Sequence, residues 1–235
     1  MRKVWWALAF VAVAVSPIAF LGSPRGATAQ GGGSLEVEVK YDGGPVSESI
    51  KTNKDVEQCG QEQKIDKVAV GGNKGLAYAV VSVNGVAGAA TAKPVQKAVI
   101  DQKGCRFQPR VIATLPGDVD IGNADGILHN IHTFSTANAP INKAQPKFKK
   151  VMTEKFDKAE IIKVTCDVHS WMTGWIAVMP NSYFGVTDGN GLTKIYNVPP
   201  GKHTIEVWHE VLGKQTREVE VKPGLTAKVS IEIKK

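Results

Sequence analysis

The stretch LEVEVK sets the firmest limit on the fold. Leu35, Val37 and Val39 alternate with Glu36, Glu38 and Lys40. A period of two puts all three apolar side chains on one face of an extended chain, whereas a helix would scatter them. The pattern returns at the far end in LTAKVSIEIKK, where Ala227, Val229, Ile231 and Ile233 share a face. Between these ends lie LAYAVVSVN (76–84), RVIATL, VDIG, ILHNIHTF and EIIKVTC, all apolar runs of strand length. Gly and Pro punctuate them at DGG, PGD, DGNG, PPG and KPG, which are turn signals. Many short strands with few helix signals imply an all-β fold, a sandwich or barrel. One stretch reads differently. In FKKVMTEKFDKA, Phe148, Val151, Met152, Phe156 and Ala159 fit a helical stripe, but the strands on both sides favour a strand here too.

The chain opens with Arg2 and Lys3, an apolar run from Val4 to Leu21, and the small-residue site Ala27-Thr28-Ala29. This has the form of a signal peptide, residues 1–29, cleaved near Ala29, and it implies a periplasmic or secreted protein. An uncleaved anchor is the alternative, since the run approaches spanning length; Pro17 and the Ala-x-Ala site favour cleavage. No later run is long and apolar enough to span a bilayer, so no membrane span is expected after cleavage. Three of the seven net positive charges lie in the leader, as Arg2, Lys3 and Arg25. The mild excess that remains, with no basic stripe interleaved with aromatics, does not call for nucleic acid. The densest basic segment runs from Lys143 to Lys163, broken by Glu154, Asp157 and Glu160. It is either a solvated face or a docking patch for an acidic partner.

The cysteines are Cys59, Cys105 and Cys166. In an oxidising compartment thiols tend to pair, and an odd count leaves one over. Cys166 belongs to VTCDVHSWMTGW, where Cys166, His169 and Met172 are each three apart. That leaves Cys59 and Cys105 for a disulfide. A thiolate, an imidazole and a thioether in one tight loop suit a soft metal, and a His₂Cys set with a weak Met is the blue-copper arrangement. The second imidazole would come from His129 or His132 in GILHNIHTF. Three residues apart on a strand, the two face opposite ways and do not easily share one ion.

LPGDVDIGNADGILHNIHTF followed by CDVHSWM resembles the cupredoxin family. The resemblance covers about residues 100 to 179 and implies a Greek-key β-sandwich holding one type 1 copper. Carried over by position, His129 is the first histidine, Cys166 the thiolate, His169 the second histidine and Met172 the axial ligand. Asn130 should tie its strand to the cysteine loop from behind the ligands. Trp171 and Trp175 flank the loop and are expected to shield the metal from water. A binuclear centre would need two cysteines in the loop, and only Cys166 is there.

The segment from Tyr183 to Ile233 resembles a carboxypeptidase-regulatory, transthyretin-like β-sandwich. The residues that carry this are Thr187-Asp188, Gly189, Gly191, Pro199-Pro200-Gly201 and Val207-Trp208. The likeness implies a fold and no activity. Residues 181–235 hold about five strands where such a sandwich wants about seven. GLAYAVVSVNGV has the missing look but lies far upstream. We therefore expect residues 98–180 to form the cupredoxin domain, inserted between 35–97 and 181–235, which pack together. The alternative is that the N-terminal part merely extends the cupredoxin. His203 and His209 are expected to be exposed strand residues, although His209, beside Trp208, is also a candidate for a surface facing the metal loop.

The reading is an exported copper protein that passes single electrons to a redox partner protein and is not an enzyme. No Ser–His–acid set or paired carboxylates announce themselves. The rivals are a copper-delivery protein without redox cycling, a structural or carbohydrate-binding sandwich, and a copper oxidase or reductase with an open coordination position.

Overall fold

The computed structural model describes residues 31–86 and 97–234. The expected signal peptide and its cleavage site lie outside the described residues, as does the segment 87–96 leading into the expected domain boundary. Among the described residues no helix is long and apolar enough to cross a membrane.

The described chain is nearly all β. In order, the strands are β1 (Gly33–Lys40), β2 (Val46–Lys51), β3 (Glu62–Val68), β4 (Val80–Asn84), β5 (Ala98–Gln102), β6 (Phe107–Gln108), β7 (Val111–Thr114), β8 (Gly117–Asn123) and β9 (His129–Phe134). They continue as β10 (Asn142–Gln145), β11 (Val151–Phe156), β12 (Glu160–Thr165), β13 (Thr173–Val178), β14 (Phe184–Val186), β15 (Leu192–Val198), β16 (Gly201–His209), β17 (Gly213–Val221) and β18 (Thr226–Glu232). A single helical turn, α1 (Val56–Cys59), sits between β2 and β3.

Two sheets carry the ends of the chain. One has the order β15-β1-β18 and the other β14-β4-β16-β17. β1 runs antiparallel to β15 and parallel to β18, and β4 pairs with both β14 and β16. The alternation in LEVEVK has its expected effect: Leu35, Val37 and Val39 are fully buried, together with Val81, Val83, Ile195, Ile205, Val207, Ile231 and Ile233. The expected strand over residues 76–84 is shorter than its apolar run. Tyr78 takes a left-handed φ of 61°, which breaks the pleat. The Thr187 hydroxyl takes over the backbone there, accepting from Ala79 N–H at 2.9 Å and donating to Leu76 C=O at 2.7 Å. Gly191 adopts a φ of 76°, and a Cβ on it would come within 2.3 Å of the Val39 carbonyl. The TDGNG turn therefore presses directly on β1 and needs glycine.

The middle of the chain forms a second sheet pair, β10-β9-β12-β13-β7 facing β11-β8-β5-β6. Its core holds Ile100, Val119, Ile121, Ile131, Met152, Phe156, Ile162, Val164 and Ile176. The stretch with the helical stripe is strand β11, antiparallel to β8. Met152 and Phe156 point inward while Phe148 and Val151 lie exposed, so burial on one face of a sheet overrides the stripe.

The hairpin β2–β3 forms a sheet of its own. Although it follows β1 directly, much of it packs on the other core: Cys59 and Ile65 are buried among the residues around Ile100 and Ile176, with Ile50 against them, while Val68 at the end of β3 stays in the core of the chain ends. Residues of β2, α1 and β3 are thus shared between the two cores. The Cys59–Cys105 disulfide, with Cα atoms 5.3 Å apart, fastens the arm. Where the two sheet pairs meet, Val80, Val111, Ala177 and Met179 are buried, flanked by Trp175 and Trp208. Glu210 accepts from Arg110 Nε at 2.6 Å and from Trp175 Nε1 at 2.8 Å.

Candidate metal centre

β9 and β12 are antiparallel neighbours, with His132 opposite Thr165. The start of β9 therefore lies beside the chain that leaves β12, and these two places supply the donors. After β12 the chain turns back into β13 through residues 166–172. Met172 N–H donates to His169 C=O at 2.9 Å, and Cys166 N–H to Met172 C=O at 3.4 Å. The loop is thus closed on itself, with Cys166, His169 and Met172 all buried.

His129, Cys166 and His169 come together at its base. Cys166 Sγ lies 3.8 Å from His129 Nδ1 and 3.7 Å from His169 Nδ1, and the two Nδ1 atoms are 3.0 Å apart. Both rings are fully buried. Each is fixed from behind by a carboxylate: His129 Nε2 is 3.0 Å from Asp125 Oδ2, and His169 Nε2 is 3.0 Å from Asp55 Oδ2. A proton on each outer nitrogen satisfies the carboxylate and leaves both Nδ1 lone pairs turned inward, toward the sulfur. Two imidazole nitrogens and a thiolate that face one another in this way can hold a cation between them. Metal–nitrogen bonds of about 2 Å and metal–sulfur bonds of about 2.3 Å place donors about 3 to 4 Å apart, which is the spacing found. The donor set fits a soft or borderline ion such as copper.

Electrostatics work in the same direction. Burial pushes the Cys166 thiol up, but hydrogen bonds from His129, His169 and the Asn130 N–H outweigh it and hold the thiol below its ordinary range. Burial pushes His129 down, and the bonds to Asp125 and Cys166 reverse this. Asp125 in turn accepts N–H bonds from Gly104 at 2.6 Å and Cys105 at 2.8 Å. Against the upward push of burial, His129 and these amides keep its carboxyl below the usual range.

Asn130 ties strand to loop. Its N–H reaches Cys166 Sγ at 3.5 Å, its amide donates to Asn142 Oδ1 at 2.7 Å and Asp167 Oδ2 at 3.2 Å, and its side-chain oxygen accepts from Asp167 N–H. Trp171 lies against His169, ring centroids 5.2 Å apart, and donates to Cys105 C=O at 3.0 Å. His132 is outside the cluster: it faces Asp167 at 2.9 Å and stacks on Phe134. Trp175 is engaged with Trp208 and Glu210 at the junction of the sheet pairs, not at the loop. His209 is buried rather than exposed, and burial lowers its pKa. His203 is half-buried, with Nε2 2.6 Å from Pro199 C=O.

Asp55 and Asp125 are the site's parts that the sequence reading did not name as such. Asp125 stands four residues before His129 in NADGILHN, so a carboxylate partner was within sight there. Asp55 is 114 residues from His169 and carries no such signal. The sulfurs of Cys59 and Cys105 and a ring nitrogen of His169 lie within 4.8 Å of one another.

No family model matches the chain, and no curated protein matches it. Among solved structures it is similar to a purple cupredoxin from Nitrosopumilus maritimus, at 19% identity over 35% of this chain and 99% of that one, TM-score 0.30. It is also similar to amicyanin from Paracoccus versutus, at 18% identity over 42% and 96% of the two chains, TM-score 0.32. A copper-containing nitrite reductase from Thermus scotoductus SA-01 is similar at 22% identity over 40% of this chain and 24% of that one, TM-score 0.31. At such scores the metal centre has to be judged on its own donors.

Proposed function

We propose that the chain is an exported mononuclear copper protein that carries single electrons between redox partner proteins. His129, Cys166 and His169 would hold the metal, with the Met172 thioether as a weaker fourth donor. The observation that carries this reading is the convergence of two Nδ1 atoms and one Sγ within 3.0 to 3.8 Å, each imidazole backed by a carboxylate. Bound copper supplies one-electron redox chemistry. The residues of the chain do the rest. Asp125 and Asp55 hold the imidazoles in orientation, the Asn130 N–H helps keep Cys166 as thiolate, and burial of all four donors excludes water. Donors held rigidly before and after a change of charge leave little to reorganise. Their burial favours a carrier over an oxidase or reductase, which needs an open coordination position.

Export is supported by the leader and by the Cys59–Cys105 disulfide, since disulfides persist in oxidising compartments. We read residues 98–180 as a metal module inserted into a sandwich made from both ends of the chain. The pairing of β4 with β14 and β16, and of β1 with β15 and β18, supports this. The transthyretin-like resemblance of that sandwich rests on its own turn residues. Titrating metal-free protein with Cu(II) tests the function. One copper per chain, an intense blue band and reversible reduction are expected. No uptake would leave an idle sandwich, and uptake without a reversible couple would leave a delivery protein.

A further inference from the structure

The arm β2–α1–β3 ends directly over His169. Its tip folds back on itself through a Thr52 N–H bond to Gln61 C=O at 3.0 Å. At that tip Asp55 occupies the N-cap position of α1, where an aspartate ordinarily turns its carboxylate onto the helix amides. Here the side chain makes no cap bond; the Asp55 carbonyl instead accepts from Gln58 and Cys59 N–H, at 2.9 and 2.8 Å. The backbone sits at φ 46°, ψ 41°, a left-handed conformation disfavoured for residues other than glycine, though tolerated best by Asn and Asp. Backbone preference and cap are both forgone, and the carboxylate lies 3.0 Å from His169 Nε2. Four residues on, Cys59 is bonded to Cys105. Gln63 donates to the Cys59 and Gly104 carbonyls, and Arg106 Nε donates to Gln63 at 2.7 Å.

We propose that Asp55 is a positioning residue for the metal centre, delivered to His169 by the disulfide-anchored arm. The carboxylate fixes the ring with its proton on Nε2 and its Nδ1 lone pair toward Cys166. The disulfide holds the carboxylate there. The arm starts from the other sheet pair, so the two ends of the chain and the metal centre are mechanically joined through Cys59. This inference rests on the copper reading for its affinity arm, and on the apo protein alone for its ring arm.

The test uses the full mature chain with Asp55→Leu, Asp55→Asn, and the double variant Cys59→Ser/Cys105→Ser. Long-range nitrogen–proton NMR of the metal-free protein reads the His169 ring. The wild type should be the Nε2–H tautomer with an unprotonated Nδ1, and Asp55→Leu should lose that single state. Asp55→Asn keeps an acceptor oxygen and should restore it. Competition with a Cu(I) chelator should show copper affinity falling about 10- to 100-fold in Asp55→Leu, the range for losing a ligand's hydrogen-bond partner. The double serine variant should fall alike, although Asp55 is intact. Asp55 is 40% exposed, so Asp55→Leu leaves the core in place even if the serine variant does not fold. An Asp55→Leu protein with wild-type ring tautomer and wild-type affinity would overturn the proposal. So would a folded double serine variant that keeps both. A wild type that takes up no copper would defeat the copper reading, and the ring tautomers would still decide this one.

Discussion

The Nδ1 atoms of His129 and His169 stand 3.0 Å apart although 40 residues separate them in the chain. With both outer nitrogens facing carboxylates, a proton on each outer nitrogen would turn two lone pairs into a dry interior, an arrangement that a cation between them would stabilise. His129→Gly should therefore open a gap at the centre that added imidazole fills, restoring the spectrum of the copper-loaded protein. His132→Gly should leave the spectrum unchanged, since His132 is spent on Asp167. The reverse pattern would assign the ligand to the wrong residue.

Met172 closes the ligand loop and is buried against it. A thioether favours Cu(I) over Cu(II) relative to a harder oxygen donor. Met172→Gln should keep copper and lower the reduction potential, read by cyclic voltammetry of both proteins. A potential equal to that of the wild type would remove Met172 from the axial role.

Glu160, at the start of β12, anchors the turn after β9. It accepts from Thr136 N–H and hydroxyl, Ala137 N–H, and Asn138 N–H and amide, at 2.5 to 3.2 Å. Burial pushes its carboxyl up, but these bonds prevail and hold it at about 2, against an ordinary 4.5. A carboxylate with a lowered folded pKa contributes stability above its unfolded value and loses it as pH falls through the folded one. Wild-type stability should thus decline between pH 4.5 and about 2 more steeply than that of Glu160→Gln. Urea midpoints across this range give the comparison, and parallel curves would deny Glu160 the role.

At the junction of the sheet pairs, Glu210 binds both Arg110 and Trp175, with Arg110 and Glu210 only 14% and 10% exposed. Glu210→Ala strands a nearly buried guanidinium, at a cost of about 3 kcal/mol. If the two sheet pairs are one cooperative unit, amides near Val80 and Val207 should lose hydrogen-exchange protection together in this variant. Loss at one alone would make the sheet pairs independent.

What the sequence made legible was local. Cys166, His169 and Met172 announce themselves because one loop carries all three at fixed spacing. The faces of β1 and β18 follow from a period of two. The Cys59–Cys105 pairing follows from an odd count once Cys166 is set aside. What stayed hidden depends on contacts between distant segments. Gln63 and Ile65 are buried on one face of β3, but nothing in EQKIDKV says which core receives them. Trp175 stands three positions past the loop, yet the pleat of β13 turns it to Trp208. Asp55 carries no signal of its own, and only the folded arm gives its carboxylate to His169.

X-ray absorption at the copper edge of the loaded protein tests the central claim most directly, because it counts the atoms bound to the metal. We expect one short sulfur scatterer, from Cys166, and two imidazole nitrogens, from His129 and His169. A shell of nitrogen and oxygen alone, or two short sulfurs drawn from Cys59 and Cys105, would contradict it.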